Sequence, residues 1–174
     1  MEILNLQDFK EYLQYLKDTG FDSDGIIFCF GTSLISRIIQ AKTRLNSKEI
    51  VPSHVALKIG EFLYESTSAP EKVGKKTIPP GVRRYLLTDF FKAEYTKQTD
   101  YAFFPCKLSS VLADEYVHLP YGKDIILDYV LRDGSSGSKN GLICSQYGNR
   151  IARLILNKDV VTPAELYRKA KEIE

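Results

Sequence analysis

Cysteine is scarce in this chain and histidine scarcer, with three of the first and two of the second in 174 residues. Cys29, Cys106 and Cys144 are far apart and odd in number, which argues against a disulfide framework. No CxxC or CxxxxH spacing gives a zinc site, and nothing in the pattern calls for a cofactor. Reduced thiols in a cytoplasm-like compartment are the simplest reading. Charge excess is also missing: the formal net charge is +2, and Lys and Arg are scattered apart from short clusters such as Lys75-Lys76 and Arg83-Arg84. These read as solvated surface, so no nucleic-acid partner is expected. The first residues, Met1 to Asp8, carry acids where a signal peptide needs basic residues and an apolar run. No segment approaches transmembrane length. A cytoplasmic protein is therefore expected, meeting lipid, if at all, from the surface.

What is present suits one domain spanning 1–174, with an N-terminal helix over 1–20 and a core over 24–168. Leu6, Phe9, Leu13 and Leu16 have the spacing of an amphipathic helix, with Asn5 as N-cap and Gly20 as the C′ residue. Gly25 to Phe30 reads as a buried strand that includes Cys29 as a small core residue. Thr32 to Ile39 reads as a helix whose inner stripe is Leu34, Ile35, Ile38 and Ile39. The runs Ser53–Ile59 and Phe62–Thr67 around Gly60-Glu61 predict a β-hairpin. That hairpin sets His54 and Glu65 on adjacent strands, within about one residue of direct opposition.

Pro70 to Gly81 is Lys-, Pro- and Gly-rich and reads as an exposed, mobile loop. Strands are expected over Gly81–Leu86 and Tyr101–Cys106, with Pro105 marking an end or an edge and Cys106 structural. Helices are expected over Asp89–Lys92, Ser109–His118 and Ile125–Leu131, and Arg132–Asn140 reads as a linker. A helix follows from Ser145. The last helix opens on a capping box, with Thr162 as cap, Pro163 at N1 and Glu165 at N3.

Cys144 lies at the start of a predicted helix, where backbone N–H groups and the helix dipole favour the thiolate. A thiolate attacks carbonyl carbon once an imidazole is in reach and an acceptor holds that imidazole. His54 and Glu65 are the base and the acceptor on offer. His118, at the end of a helix with no orienting partner, reads as a surface residue. Tyr121 and Tyr147 are weaker candidates for approach to the site.

The segments Asp24–Phe28, Ser33–Ile39, Ser53–Leu57, Leu63–Ser66 and Cys144-Ser145 resemble the permuted papain-like amidases of the YiiX/YaeF type, in the NlpC-like superfamily. The resemblance runs from about Asp24 to Leu166, and Gly81-Val82-Arg83 and Thr162–Leu166 also look like family features. It implies an α+β fold, a small antiparallel β-sheet or barrel packed against helices, with the His strand preceding the Cys helix. It further implies Cys144 as nucleophile, His54 as general base and Glu65 as the orienting acid of a thiol hydrolase. Glu usually follows the Cys-Ser pair in that family, whereas this chain has Gln146. The implied substrates are amides or esters in a peptide, a muropeptide, another small molecule or a lipid. Related branches, including lecithin retinol acyltransferase, transfer acyl chains instead of hydrolysing, and a non-catalytic ligand-binding module on the same fold stays open. The residues leave oligomeric state undetermined.

Overall fold

A computed structural model describes residues 1–73, 76–92, 97–122, 142–156, 158 and 161–174. Its centre is a five-stranded antiparallel sheet in the order β6-β3-β2-β1-β7. The strands are β1 (Gly25–Gly31), β2 (His54–Ile59), β3 (Phe62–Thr67), β6 (Gly81–Leu86) and β7 (Thr99–Pro105). A separate two-stranded ribbon pairs β4 (Glu71–Val73) with β5 (Lys76–Ile78). Among the described residues the helices are α1 (Leu6–Asp18), α2 (Leu34–Thr43), α3 (Leu87–Phe90), α4 (Ser110–Glu115), α5 (Cys144–Ala152) and α6 (Pro163–Ile173). The architecture is α+β.

The sheet has two apolar faces because its central strands alternate between them. Ile26, Phe28 and Phe30 join Val55, Leu57 and Tyr64 on one face, under Tyr147 and Ile151 of α5 and Leu166 and Tyr167 of α6. Tyr167 meets Phe28 and Phe30 edge-on, with ring centres 5.1 and 5.4 Å away. Ile27, Cys29, Ala56 and Leu63 point to the other face, under Phe9 and Leu13 of α1 and Phe90 of α3. There Phe9 stacks on Tyr101 at 5.0 Å.

Local chemistry fixes the element ends. Asn5 Oδ1 accepts from the Gln7 and Asp8 N–H groups at 2.9 and 3.0 Å, and Gly20 takes a φ of +75° after α1. Gly60 turns the β2–β3 hairpin with a φ of +56°. The Thr162 hydroxyl accepts from the Glu165 N–H at 3.2 Å, and the Glu165 carboxylate accepts from the Thr162 N–H at 2.8 Å. That is the expected capping box.

Several expectations need correction. The stretch 70–81 contains the β4–β5 ribbon; its Lys-, Pro- and Gly-rich sequence has only Val73 and Ile78 as apolar strand formers, too little signal to show a strand. The helix expected from Thr32 begins after Ser33, whose hydroxyl caps the Ser36 N–H at 3.1 Å, and extends to Thr43. Of its supposed inner stripe Leu34, Ile35 and Ile38 are exposed, and only Ile39 is half-buried. The helix expected over Asp89–Lys92 lies at Leu87–Phe90, and the one expected over Ser109–His118 ends at Glu115. The sequence helix at 125–131 and linker at 132–140 lie outside the described residues. No described helix is long and apolar enough to cross a membrane.

Candidate active site

Cys144 is the first residue of α5, and its place is set by ties on both sides. Ahead of it, the Ser66 hydroxyl of β3 donates to the Leu142 carbonyl at 2.5 Å, and the Leu142 N–H donates to the Pro120 carbonyl at 3.1 Å. Behind it, the buried Ser145 hydroxyl donates to the Val161 carbonyl. The helix lies tight on β2 because Gly148 faces it: a Cβ at that position would stand 2.9 Å from Val55 Cγ1. Gln146 has a local task as well. Its side-chain oxygen accepts from the Ile143 N–H at 3.2 Å, satisfying a donor at the helix start. An amide oxygen serves there as well as a carboxylate, so Gln is a workable residue where the resembling family usually has Glu.

His54 opens β2 and Glu65 lies on β3. Their relation differs from the expected near-opposition. Glu65 pairs with Ala56, so His54 lies two positions along on the same face. An offset of one would have put the two side chains on opposite faces; two keeps them together. His54 Nε2 and Glu65 Oε2 are 2.6 Å apart, and the Glu65 side chain is only 3 % exposed. Cys144 lines the same cavity as His54 and is near enough to the imidazole to raise its pKa. With Nε2 engaged by the carboxylate, Nδ1 is the nitrogen left for sulfur. Burial pushes the His54 pKa down, but Cys144 and Glu65, by charge and hydrogen bond, more than offset it and hold it well above 6.5.

These groups line a cavity of about 410 Å³. Its other walls are mostly apolar or hydroxylic, including Ile35, Ile39, Phe90, Tyr101, Thr67 and Ser68. Tyr121 is there too. Burial raises its pKa, the charges of Cys144 and Glu65 raise it further, and a hydrogen bond with Ser68 lowers it without reversing the shift. It stays a phenol across the working pH range.

Two cavity features escaped sequence reasoning. Cys29, read as core filler, lies directly across the ladder from His54 and so shares its face. Burial raises its thiol pKa well above 9.0, followed by the negative charges of Glu65 and Cys144. Strand alternation would have revealed this face-sharing once the β1–β2 register was known, but more than twenty residues separate the two strands. Arg83 lies opposite Glu65 on β6, and its Nη2 donates to the Ala69 and Pro79 carbonyls at 2.7 and 2.8 Å. That fixes both ends of the β4–β5 ribbon beside the cavity wall.

The remaining candidates fall outside the site. Tyr147 is buried under α4, donating from its hydroxyl to the Ala113 carbonyl at 3.2 Å. His118 is exposed and does not line the cavity. Burial, above all, pushes the Cys106 thiol up to about 11. Among the described residues no group of His, Cys, Asp and Glu could hold a metal ion. Neither a protein-family model nor a curated protein matches the chain.

Proposed function

We propose that this protein is a cysteine-dependent hydrolase of an amide or ester bond, built as a permuted papain-like domain. The observation that supports it is that Cys144, His54 and Glu65 share the wall of one cavity, with His54 bonded to Glu65. A module that merely holds a ligand would have no need of that set.

In this reading the Cys144 sulfur bonds to the substrate carbonyl carbon and pushes its π electrons onto oxygen. The Cys144 N–H, at the start of α5, and the Tyr121 hydroxyl are the donors available to that oxyanion. The intermediate collapses to a thioester as the leaving nitrogen or oxygen takes the His54 proton. A water then gives its proton to His54 and its oxygen to the acyl carbon, and sulfur leaves. Glu65 holds the imidazole in one orientation and stabilises its charged form throughout. Replacing water by another acceptor gives an acyl transferase, a reading that the mostly apolar walls favour for acyl-chain donors.

A thiol-directed probe tests the proposal. Wild type should label at one cysteine; Cys144→Ala should abolish labelling, whereas Cys29→Ala and Cys106→Ala should leave it intact. Labelling that survives Cys144→Ala would overturn the assignment.

A further inference from the structure

Helix α2 is mounted inside out. Its polar residues Ser36, Gln40 and Thr43, at helical spacing, face the protein. Ser36 packs on Gly31, where an added Cβ would lie 2.7 Å from its hydroxyl oxygen. Gln40 Nε2 donates to the Gly31 carbonyl at 3.2 Å, and Thr43 is buried, with Arg168 Nη2 donating to its carbonyl at 2.6 Å. The apolar stripe is left outside: Leu34 is 76 % exposed, Ile38 38 % and Leu45, just beyond the helix, 77 %. Ile35 and Ile50 extend the patch, at 63 % and 66 %.

Basic residues flank it. Arg37, Arg44 and Lys48 are all exposed, and the single acid between residues 33 and 50, Glu49, is held by Arg168 at 2.7 Å. A protein partner's interface would centre on aromatic anchors. A short helix with aliphatic side chains on its outer face and cations around them has instead the make-up of an interfacial membrane helix. At about 15 Å long it suits the headgroup layer and is far too short to span.

We infer that the outward face of α2, with Leu45 and Ile50, docks on a lipid bilayer carrying anionic headgroups. Ile35 and Ile39 of the same helix line the Cys144 cavity, so the docked bilayer lies along its rim. If the hydrolase reading holds, on which this clause alone rests, the acyl group attacked comes from a lipid in that bilayer.

Co-sedimentation of the full chain with vesicles tests the docking without any chemistry. Vesicles of phosphatidylglycerol and phosphatidylcholine should bind it, pure phosphatidylcholine should bind it far less, and high salt should release it. Leu34→Asp with Ile38→Asp should weaken binding at least tenfold, and Arg37→Glu with Arg44→Glu by roughly fivefold per residue. Cys144→Ser should bind like wild type, and the α2 variants should keep wild-type helicity and Cys144 labelling. Two results would overturn the inference: no binding to anionic vesicles, or a dimer that Leu34→Asp with Ile38→Asp converts to monomer with no change in vesicle binding. Loss of Cys144 labelling with vesicle binding intact would count against the hydrolase reading alone.

Discussion

His54 lies between Cys144 and Glu65 on the cavity wall, and this determines how the site responds to pH. Its folded pKa is raised well above 6.5, so the charged imidazole persists beyond the pH at which a free imidazole loses its proton. The stability this group contributes is therefore fully present below about 6.5 and declines as pH rises through the folded value. For activity, the alkaline limb of kcat/KM should lie above 6.5. Glu65→Gln removes one of the charges, so that limb should move to lower pH while kcat falls, on the order of tenfold to a hundredfold. A pH profile of both proteins checks the direction. Tyr121→Phe, which removes only a hydroxyl, should lower kcat by about 10²-fold with little change in KM if the phenol serves the oxyanion. His54 and Glu65 were legible as near neighbours because a hairpin with a two-residue turn leaves few registers, and Cys144 as a candidate because it starts a helix. Tyr121 was named as a candidate for the site, but the placement of Cys29 and Arg83 was not legible, because each depends on pairing between strands distant in the chain.

At the scale of elements, α5 carries the nucleophile and β2 carries the base, so their spacing governs the site. Gly148 sets that spacing. Gly148→Ala would gain up to about 1 kcal/mol of helix propensity but drive a Cβ against the stiff Val55 side chain. The expected outcome is a net loss of about 1–2 kcal/mol in denaturant unfolding, with a larger fractional loss of Cys144 labelling rate as the helix moves. Thr162→Ala removes the acceptor that starts α6 and should cost about 1 kcal/mol. This cap was readable because its Thr-Pro-x-Glu chemistry is local. The orientation of α2 was not: its sequence has a helical apolar stripe, and the ordinary inference is that such a stripe faces inward. Gln40 bonding to the Gly31 carbonyl and the burial of Thr43 reverse it, and periodicity alone cannot tell a stripe turned to the core from one turned outward.

At the scale of the whole molecule, one sheet is covered on both faces, and residues of α2, α5 and the β2–β3 hairpin line the cavity. The loop between α2 and β2 is tied to the last helix by Arg168 and Glu49, paired at 2.7 and 2.8 Å. The Arg168 guanidinium lowers the Glu49 carboxyl pKa from 4.5 to about 2. Its contribution is present above 4.5 and should be lost as pH falls towards 2. Arg168→Gln should abolish that acid dependence and cost about 1 kcal/mol at neutral pH, as urea unfolding at several pH values would show. Most strands followed from alternation and turn chemistry and the α+β class from the family resemblance, but the sheet order followed from neither, because β1 pairs with β7, far along the chain, as well as with β2.

The central claim is that Cys144, served by His54, forms an acyl thioester. The most direct test is intact-protein mass spectrometry after brief exposure to an activated acyl ester. One acyl group should appear on wild type, map to Cys144 and decay as water hydrolyses it, while His54→Ala should acylate at least a hundredfold more slowly. Acylation of Cys29, of Cys106 or of no cysteine, or an adduct at Cys144 that forms equally fast without His54, would contradict the account.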